Sequence, residues 1–279
     1  MKKKKTDKIF AQIVMIVVGL VMMYPLMWMF MAIFKSNSEI FGSSKLLPES
    51  FSFDAFTNAW KGVGKYTYGK YFLNTFIIVI PTTIFTVISC SLVSYGFARF
   101  KFPGKKILFA VLIATLMLPN TVIIIPRYAL FSQFDWLNTY LPFYVPALLA
   151  CYPFFIFMLL QFMRGIPREL DETAYIDGCN TFRTYLEVLL PLLKPALFSA
   201  GLFQFLWTYN DFFNALIYIN SVEKYPISLA LRTALDVDAN IQWAQIMAMA
   251  VVSVLPLILL FFAAQKYFVE GIATSGLKG

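Results

Sequence analysis

The segment Glu169–Pro191 reads ELDETAYIDGCNTFRTYLEVLLP and is a charged, glycine-broken stretch between two long apolar runs. Acidic residues crowd its first turn, where the positive end of a helix dipole favours them, and Pro167 fits a first helical position. Gly178 suits the left-handed residue that ends a helix, and Asn180 or Thr181 can cap the next one. The segment therefore predicts a helix, a tight turn and a second helix.

The second of these helices is predicted to be amphipathic, because its apolar residues recur on one face. They are Phe182, Tyr185, Leu186, Leu189, Leu190 and Leu193. We expect both helices to lie along the cytoplasmic surface before Pro195 opens the next membrane span. Spacing alone leaves two interpretations, an element that docks a partner and an interfacial helix without one.

The composition is that of a membrane protein with several spans. Of 279 residues, 59% are hydrophobic and 14% charged, whereas a soluble domain is about half apolar and about a quarter charged. The formal charge of +8 does not indicate nucleic-acid binding, since much of the excess sits in Lys2–Lys5, Lys8 and Arg99–Lys106, where it indicates topology. The three cysteines have no CxxC spacing and predict neither a disulfide framework nor a zinc site.

Six apolar runs reach the length of about 20 residues that a helix needs to cross a bilayer. The predicted spans are Ile9–Phe34, Tyr71–Phe97, Ile107–Phe131, Leu141–Met163, Pro195–Asn220 and Trp243–Phe268. The first is expected to be an uncleaved span, because its run is too long for a signal peptide and no small-residue cleavage site follows. Pro119 and Pro126 bracket Asn120–Ile125, so the third span is predicted to be broken.

Basic residues in the short connections predict the orientation. The turn Arg99–Lys106 holds four basic residues and no acid, whereas Asp135–Thr139 holds no Lys or Arg. The first is therefore expected inside and the second outside, with both termini in the cytoplasm. Lys35–Lys70 would be external despite its five lysines. The predicted divisions are 1–70, a core of 71–268 that includes the loop 164–194, and a cytoplasmic tail of 269–279.

The identities within the charged segment resemble the EAA loop of ABC importer permeases. The matching residues are Glu172-Thr173-Ala174, then Asp177-Gly178, then Leu190-Pro191. In that family the loop forms a cytoplasmic coupling helix, which sits in a cleft of an ATPase subunit. The resemblance implies that this chain is coupled to an ATPase through Glu172, Thr173, Ala174, Asp177 and Gly178.

Two positions depart from the motif. Thr173 stands where the family usually has alanine, and Cys179 follows Gly178 where alanine is again usual. Both replacements are small residues, so docking is still expected, with Gly178 making the turn.

Further stretches resemble the MalG-like permeases of carbohydrate ABC importers. They are Trp207–Phe213, Met117–Pro126 with Leu137–Thr139, and Gln265–Gly279. The resemblance covers nearly the whole chain and implies the all-α, six-helix MetI-like fold of type I importers, in a bacterial plasma membrane. The implied partners are a second, homologous permease, an ATPase dimer and an extracellular sugar-binding protein, with a sugar or oligosaccharide as substrate. ATP and magnesium would be used by the ATPase, so no cofactor is expected on this chain.

Polar residues inside apolar runs are candidates for a translocation path. We predict that Arg127 and Asp211 lie toward the outer half of the membrane and pair, with Tyr209 and Asn210 beside them. A structural ion pair without substrate contact is the alternative, and no substrate residue is assigned. The stretch Ser221–Gln242 corresponds in position to a loop that enters the binding protein in the maltose permease, or else is a solvated connector.

Other functional classes are disfavoured by what the sequence lacks. The absence of histidine excludes His-dependent triads and HExxH zinc sites, and without a complete GxxxxGK[ST] P-loop the chain is not expected to be the ATPase itself. A secondary transporter is expected to show a repeat between its halves, and none is evident. The expected function is alternating access driven by the partner ATPase, and the alternatives are a secondary transporter and an ABC permease for a solute other than a sugar.

Overall fold

The computed structural model describes the backbone of residues 2–62, 65–236 and 241–276, and the regular elements within these ranges are helices, which confirms the all-α prediction. The helices are α1 Lys2–Ala32, α2 Asn37–Gly42, α3 Asp54–Trp60, α4 Tyr68–Arg99, α5 Lys105–Leu116, α6 Asn120–Gln133, α7 Leu141–Leu148, α8 Pro153–Arg164, α9 Glu169–Ile176, α10 Thr181–Thr184, α11 Leu190–Tyr209, α12 Phe212–Tyr218, α13 Ile227–Asp236 and α14 Trp243–Gly276. A π-helical turn, Tyr185–Leu189, joins α10 to α11. A 3-10 turn covers Val222–Lys224.

Five or six stretches of the described residues qualify as membrane spans, in agreement with the predicted six. Five stretches are long and apolar enough to cross a bilayer, and the bent pair of α5 and α6 makes a sixth. The five are Lys8–Ala32, Tyr68–Arg99, Leu141–Arg164, Thr181–Tyr209 and Trp243–Gln265.

The third span is broken, as predicted, with an angle of 107° between α5 and α6. The break lies at Met117–Pro119, where the extended backbone of Pro119 (ψ 141°) ends helical geometry. Pro126 lies inside α6 and does not interrupt it. One proline of the bracketing pair therefore breaks the span, and the other is accommodated.

The predicted fifth span, Pro195–Asn220, is wrong at both ends. Its helix begins at Thr181, passes through both prolines of the region and ends at Tyr209, before the separate helix α12. The π-helical turn explains this course, because the Leu190 amide donates to the Tyr185 carbonyl five residues back. This widened turn leaves room for the Pro191 ring, which would clash with a standard preceding turn.

The chain divides into two units. The first comprises the residues up to Lys70 together with Ala230–Ile258. Within it, the Asn37 side chain donates to the Ile241 carbonyl (2.6 Å) and accepts from the Trp243 amide (3.0 Å), which joins α2 to the start of α14. The Tyr68 and Ser253 hydroxyls lie 3.1 Å apart inside the same unit.

The second unit comprises Tyr71–Leu229 and the chain from Leu259. Among its described residues are three apolar clusters, and α4 contributes to each, through Ile78 in one, Cys90 in the next and Tyr95 with Ala98 in the third. Helices α8 and α11 supply much of the remaining packing of the last two clusters. The second membrane span is thus the central helix of this unit.

Hydrogen bonds gather the loops of the second unit at two opposite ends of its spans. At one end, the Asn138 side chain donates to the Ser221 hydroxyl (2.8 Å), and Asn74 donates to the carbonyls of Glu223 (2.8 Å) and Tyr225 (3.0 Å). At the other, Arg99 contacts the loop that follows α8. This grouping agrees with the predicted alternation of loops, and which end is cytoplasmic stays a prediction.

Candidate coupling site

The first helix of the charged segment forms as predicted, over Glu169–Ile176, with three acidic residues in its first turn. It begins two residues after Pro167, so this proline precedes the helix and does not occupy its first position. Thr173 turns its hydroxyl back onto the Glu169 carbonyl at 2.8 Å. The Thr173 hydroxyl is therefore bonded within the helix, and the other side chains of the exposed face are available for contacts with a partner.

The turn after α9 is a Schellman motif centred on Gly178, which has a φ of +85°. The Cys179 amide donates to the Ala174 carbonyl (2.9 Å), and the Gly178 amide donates to the Tyr175 carbonyl (3.1 Å). These two bonds satisfy carbonyls that the end of a helix would otherwise leave free. An added Cβ at Gly178 would meet nothing within 4 Å, so the backbone conformation alone demands glycine there.

The second helix is capped by Asn180, whose side-chain oxygen accepts from the Arg183 amide at 2.9 Å. This helix does not lie along the membrane surface as predicted, because it continues directly into the fifth span. The predicted apolar stripe is only partly buried: Tyr185, Leu189 and Leu193 pack inside, whereas Phe182 and Leu186 are exposed.

The residues around the turn divide between two faces of α9. Asp171 and Ala174, three residues apart, are buried against the protein. Glu172, Thr173 and Asp177 are exposed. At the tip, the side chains of Tyr175 and Ile176 are 49% and 85% exposed, and this apolar surface has no cover within the described residues. The predicted coupling residues thus lie together in one short element, but Ala174 faces inward.

Side chains of α4 hold the loop that leads into α9. Arg99 forms an ion pair with Asp171, with 2.7 Å between Nε and Oδ2, and its Nη2 donates to the Ile166 carbonyl at 3.1 Å. In return, Arg168 donates to the Ala98 carbonyl at 3.2 Å. Burial raises the pKa of the Asp171 carboxyl above its ordinary value, and the guanidiniums of Arg99 and Arg168 oppose that rise. The cation of Arg99 therefore favours the ionised form of this buried carboxyl.

The helix after the turn is also attached to α4. The Tyr95 hydroxyl donates to the Thr181 carbonyl at 2.9 Å, and the hydroxyls of Ser91 and Tyr185 lie 2.8 Å apart. Sequence reasoning missed all of these attachments, since Arg99 was interpreted only as topological charge. The available signal was an arginine at the end of an apolar run and an aspartate one turn inside a predicted helix.

The predicted translocation-path residues are only partly brought together. Asp211 caps α12 and accepts from the Asn214 amide (3.1 Å) and side chain (2.8 Å), while Arg127 donates to Asn120 at 3.4 Å. The predicted pairing of Arg127 with Asp211 is therefore not formed: the ion pairs of the described ranges are Arg99–Asp171 and Arg183–Glu187.

The remaining two members of that group lie at the end of α11. Asn210 donates to the Leu206 carbonyl at 2.8 Å, which closes the end of that helix. Tyr209 is buried, with its ring stacked on Phe205 at 5.9 Å between centroids. Both side chains serve the end of the fifth span, and their role in a translocation path stays a prediction.

The known proteins that this chain resembles are membrane components of transport systems. Residues 87–274 match the family model described as binding-protein-dependent transport system inner membrane component. A probable ABC transporter permease protein, YurM of Bacillus subtilis, is 34% identical over 92% of this chain and 84% of its own length. The diacetylchitobiose uptake system permease protein NgcG of Streptomyces coelicolor is 30% identical over 94% and 87%, respectively. The trehalose/maltose transport system permease protein MalG of Thermococcus litoralis is 27% identical over the full length of both chains.

A solved structure has the same fold. It is a crystal structure of a bacterial ABC transporter involved in the import of the acidic polysaccharide alginate, and one of its chains superposes with a TM-score of 0.82. The two chains are 21% identical, with 94% of this chain and 98% of the other covered. This likeness confirms the predicted fold.

Proposed function

Since this chain belongs to the family of inner membrane components of binding-protein-dependent transport systems, we propose that it is the permease subunit of an ATP-driven importer of a sugar or an oligosaccharide. It is a multi-pass protein of the bacterial plasma membrane, in a family of transporter subunits. Its substrate would cross the membrane by alternating access, driven by ATP hydrolysis in a partner subunit.

The proposed assembly has three further components. A second, homologous permease completes the pore, an ATPase dimer supplies the energy, and an extracellular sugar-binding protein delivers the substrate. ATP and magnesium are bound and used by the ATPase, so this chain carries no cofactor and catalyses no hydrolysis. The coupling residues are Glu172, Thr173, Ala174, Asp177 and Gly178, and the loop that carries them faces the cytoplasm.

Support for a carbohydrate substrate comes from the relatives. Their names refer to diacetylchitobiose, arabinooligosaccharides and trehalose or maltose. The stretch Trp207–Phe213 adds the sugar-permease resemblance of the fifth span. An importer of another solute is the second candidate, because the EAA loop alone is common to permeases of many substrates.

The observation that carries the ATPase coupling is the apolar tip of α9. Ile176 is 85% exposed and Tyr175 is 49% exposed, beside the exposed polar residues Glu172 and Asp177. A clustered apolar surface with a polar rim is typical of a protein interaction site. The Schellman turn holds this tip in one conformation, so a partner meets a preformed element.

The experiment is to replace Ile176 with glutamate in the complex reconstituted with the second permease, the ATPase and the binding protein. A charge placed in the centre of the docking surface should lower the amount of ATPase that co-purifies by about tenfold, the loss expected for an interface residue worth more than 1 kcal/mol. Uptake of a labelled sugar into proteoliposomes should fall in parallel.

Leu47→Glu is the matched control, because Leu47 is 62% exposed in a loop of the first unit and carries no coupling role. Normal ATPase retention by Ile176→Glu, or uptake by the unmutated complex without ATP, contradicts the proposal. The second result would favour a secondary transporter. A further variant, Gly178→Pro, should also abolish coupled uptake, since proline cannot adopt a φ of +85°.

A further inference from the structure

We propose that Arg99 is a positioning residue that ties the coupling helix to the second membrane span, so that a displacement of α9 by the ATPase is transmitted first to α4. This inference rests on the proposed function, because it assumes that a partner moves α9. It concerns the inner face of that helix, whereas the partner contacts the outer one.

The attachment is a pair of reciprocal arginine contacts, here called the arginine latch and composed of Arg99, Asp171, Arg168, Ala98 and Ile166. Arg99 reaches from the last turn of α4 to the Asp171 carboxylate and to the Ile166 carbonyl. Arg168 reaches back from the start of α9 to the Ala98 carbonyl. Each segment thus donates to the other, which fixes both their distance and their relative rotation.

Burial distinguishes this ion pair from an ordinary surface pair. The side chains of Arg99 and Asp171 are 8% and 12% exposed, whereas those of Arg183 and Glu187 in the neighbouring helix are 61% and 53% exposed. Exposed pairs contribute little, because water screens them and flexible side chains must be ordered. A buried pair cannot be separated without leaving a charge unsolvated, so the latch resists extension when α9 is pulled or pushed.

The latch acts together with contacts beyond the glycine turn. Tyr95 and Ser91, on the same helix as Arg99, hold Thr181 and Tyr185 of the fifth span. Helix α4 therefore contacts the chain on both sides of Gly178, while an added Cβ at Gly178 itself would meet nothing within 4 Å. A force on the turn is delivered to α4 from two directions, and α4 is the helix that contributes to each of the three apolar clusters described above.

Because of the position of Asp171, the role of the latch can be tested separately from docking of the ATPase. Asp171 is buried on the inner face of α9, whereas Tyr175 and Ile176 are exposed at its tip. Replacing the carboxylate with an amide of the same shape removes the charge and leaves the docking surface unchanged. Loss of the latch should therefore reduce transmission without preventing assembly.

The test uses Asp171→Asn and Arg99→Gln in the complete complex in proteoliposomes. ATPase co-purification should stay within about twofold of wild type, while the sugar taken up per ATP hydrolysed should fall by about tenfold, a typical coupling between two sites. Arg99→Lys keeps the charge with fewer donors, so it should restore part of the ratio. Glu187→Gln, which removes the exposed pair, is the control and should leave the ratio unchanged.

The main comparison in a second measurement, without and with nucleotide, does not require either of those variants. Spin labels at Lys101→Cys and Glu169→Cys, both exposed, report the separation of the end of α4 from the start of α9. The native cysteines Cys90, Cys151 and Cys179 are replaced by serine in this background. The labelled complex should show the same distance distribution without nucleotide and with trapped ATP, and adding Asp171→Asn should broaden the distribution.

A shift of the label distance on ATP binding in a complex that transports overturns the inference, since α9 would then move independently of α4. A normal uptake ratio in both Asp171→Asn and Arg99→Gln overturns it as well. Failure of the proposed function is a different result, in which the unmutated complex neither binds the ATPase nor takes up sugar with ATP.

Discussion

Helices α1 and α4 are alike in sequence hydropathy and different in structure. They have 31 and 32 residues, each contains one interior proline, and their most apolar windows share a mean hydropathy of 2.3. Yet none of that window is buried in α1, whereas 39% of it is buried in α4. Length and hydropathy therefore specify that a helix crosses the membrane, but not whether it is surrounded by protein.

Small polar side chains account for the difference. In α4 they are buried and spaced so that most fall on one side, and they are Asn74, Thr75, Thr82, Thr86, Ser91 and Ser94. Several of them bond to other helices or loops, such as Ser94 to the Ile156 carbonyl at 2.8 Å. The span of α1 from Lys8 to Ala32 contains no Ser, Thr or Asn. Such residues are typical of helix contacts within a membrane, because they permit close approach and hydrogen bonding.

The largest effect is expected from filling the polar side of α4. Ser94 is fully buried, and its one hydroxyl hydrogen lies within reach of both the Cys90 and the Ile156 carbonyls, so Ser94→Leu inserts a bulky group between α4 and α8. Overpacking of this kind costs about 1–3 kcal/mol. We expect a clear loss of monodisperse protein in fluorescence-detected size exclusion. The control Gly19→Leu in α1, where an added Cβ meets nothing within 4 Å, should behave as wild type, and equal losses would remove the distinction between the helices.

An intermediate effect is expected from Asn74→Leu. The Asn74 amide donates to the carbonyls of Glu223 and Tyr225, and its loss leaves two backbone acceptors without that donor. A cost of about 1.4 kcal/mol corresponds to roughly tenfold faster hydrogen exchange in this loop, if it opens locally. Mass spectrometry of peptides covering Val222–Lys224 measures the rate. Gln12→Leu on exposed α1 is the counterpart, and unchanged exchange in Asn74→Leu would contradict the role of this bond.

The smallest effect is expected from Tyr185→Phe, which removes only the hydroxyl bond to Ser91. Hydrogen bonds between membrane helices average about 0.6 kcal/mol, so the thermal midpoint in detergent should fall by about 1–2 °C. Tyr24→Phe removes a hydroxyl from an α1 residue that is 53% exposed and should cause no change. A larger drop for Tyr24→Phe than for Tyr185→Phe would reverse the comparison.

Local signals predicted much of the fold and of the turn. Apolar length predicted the six spans, the left-handed glycine and its neighbouring cap predicted the Schellman turn, and Pro119 marked the break in the third span. Each of these depends on residues close together in the chain. They were correct because backbone geometry at a glycine or a proline is restricted wherever it occurs.

What the sequence did not predict depends on distant contacts. Proline in the fifth span indicated a boundary, but the π-helical turn before Pro191 carries the helix through. The latch between Arg99 and Asp171 joins segments far apart in the chain, and charge alone does not identify such a partner. The expected pairing of Arg127 and Asp211 is a different case, because each side chain bonds instead to a nearby asparagine in its own helical segment, Asn120 and Asn214.

The open surroundings of Gly178 have a consequence for handedness. With a φ of +85° and no atom within 4 Å of an added Cβ, this position rejects an L side chain through the backbone and not through its size. The mirror-image residue has the opposite preference, because its allowed region is the one that an L residue avoids. The turn therefore selects for chirality, because D-alanine would fit where L-alanine is strained. Glycine is the one genetically encoded residue that is achiral.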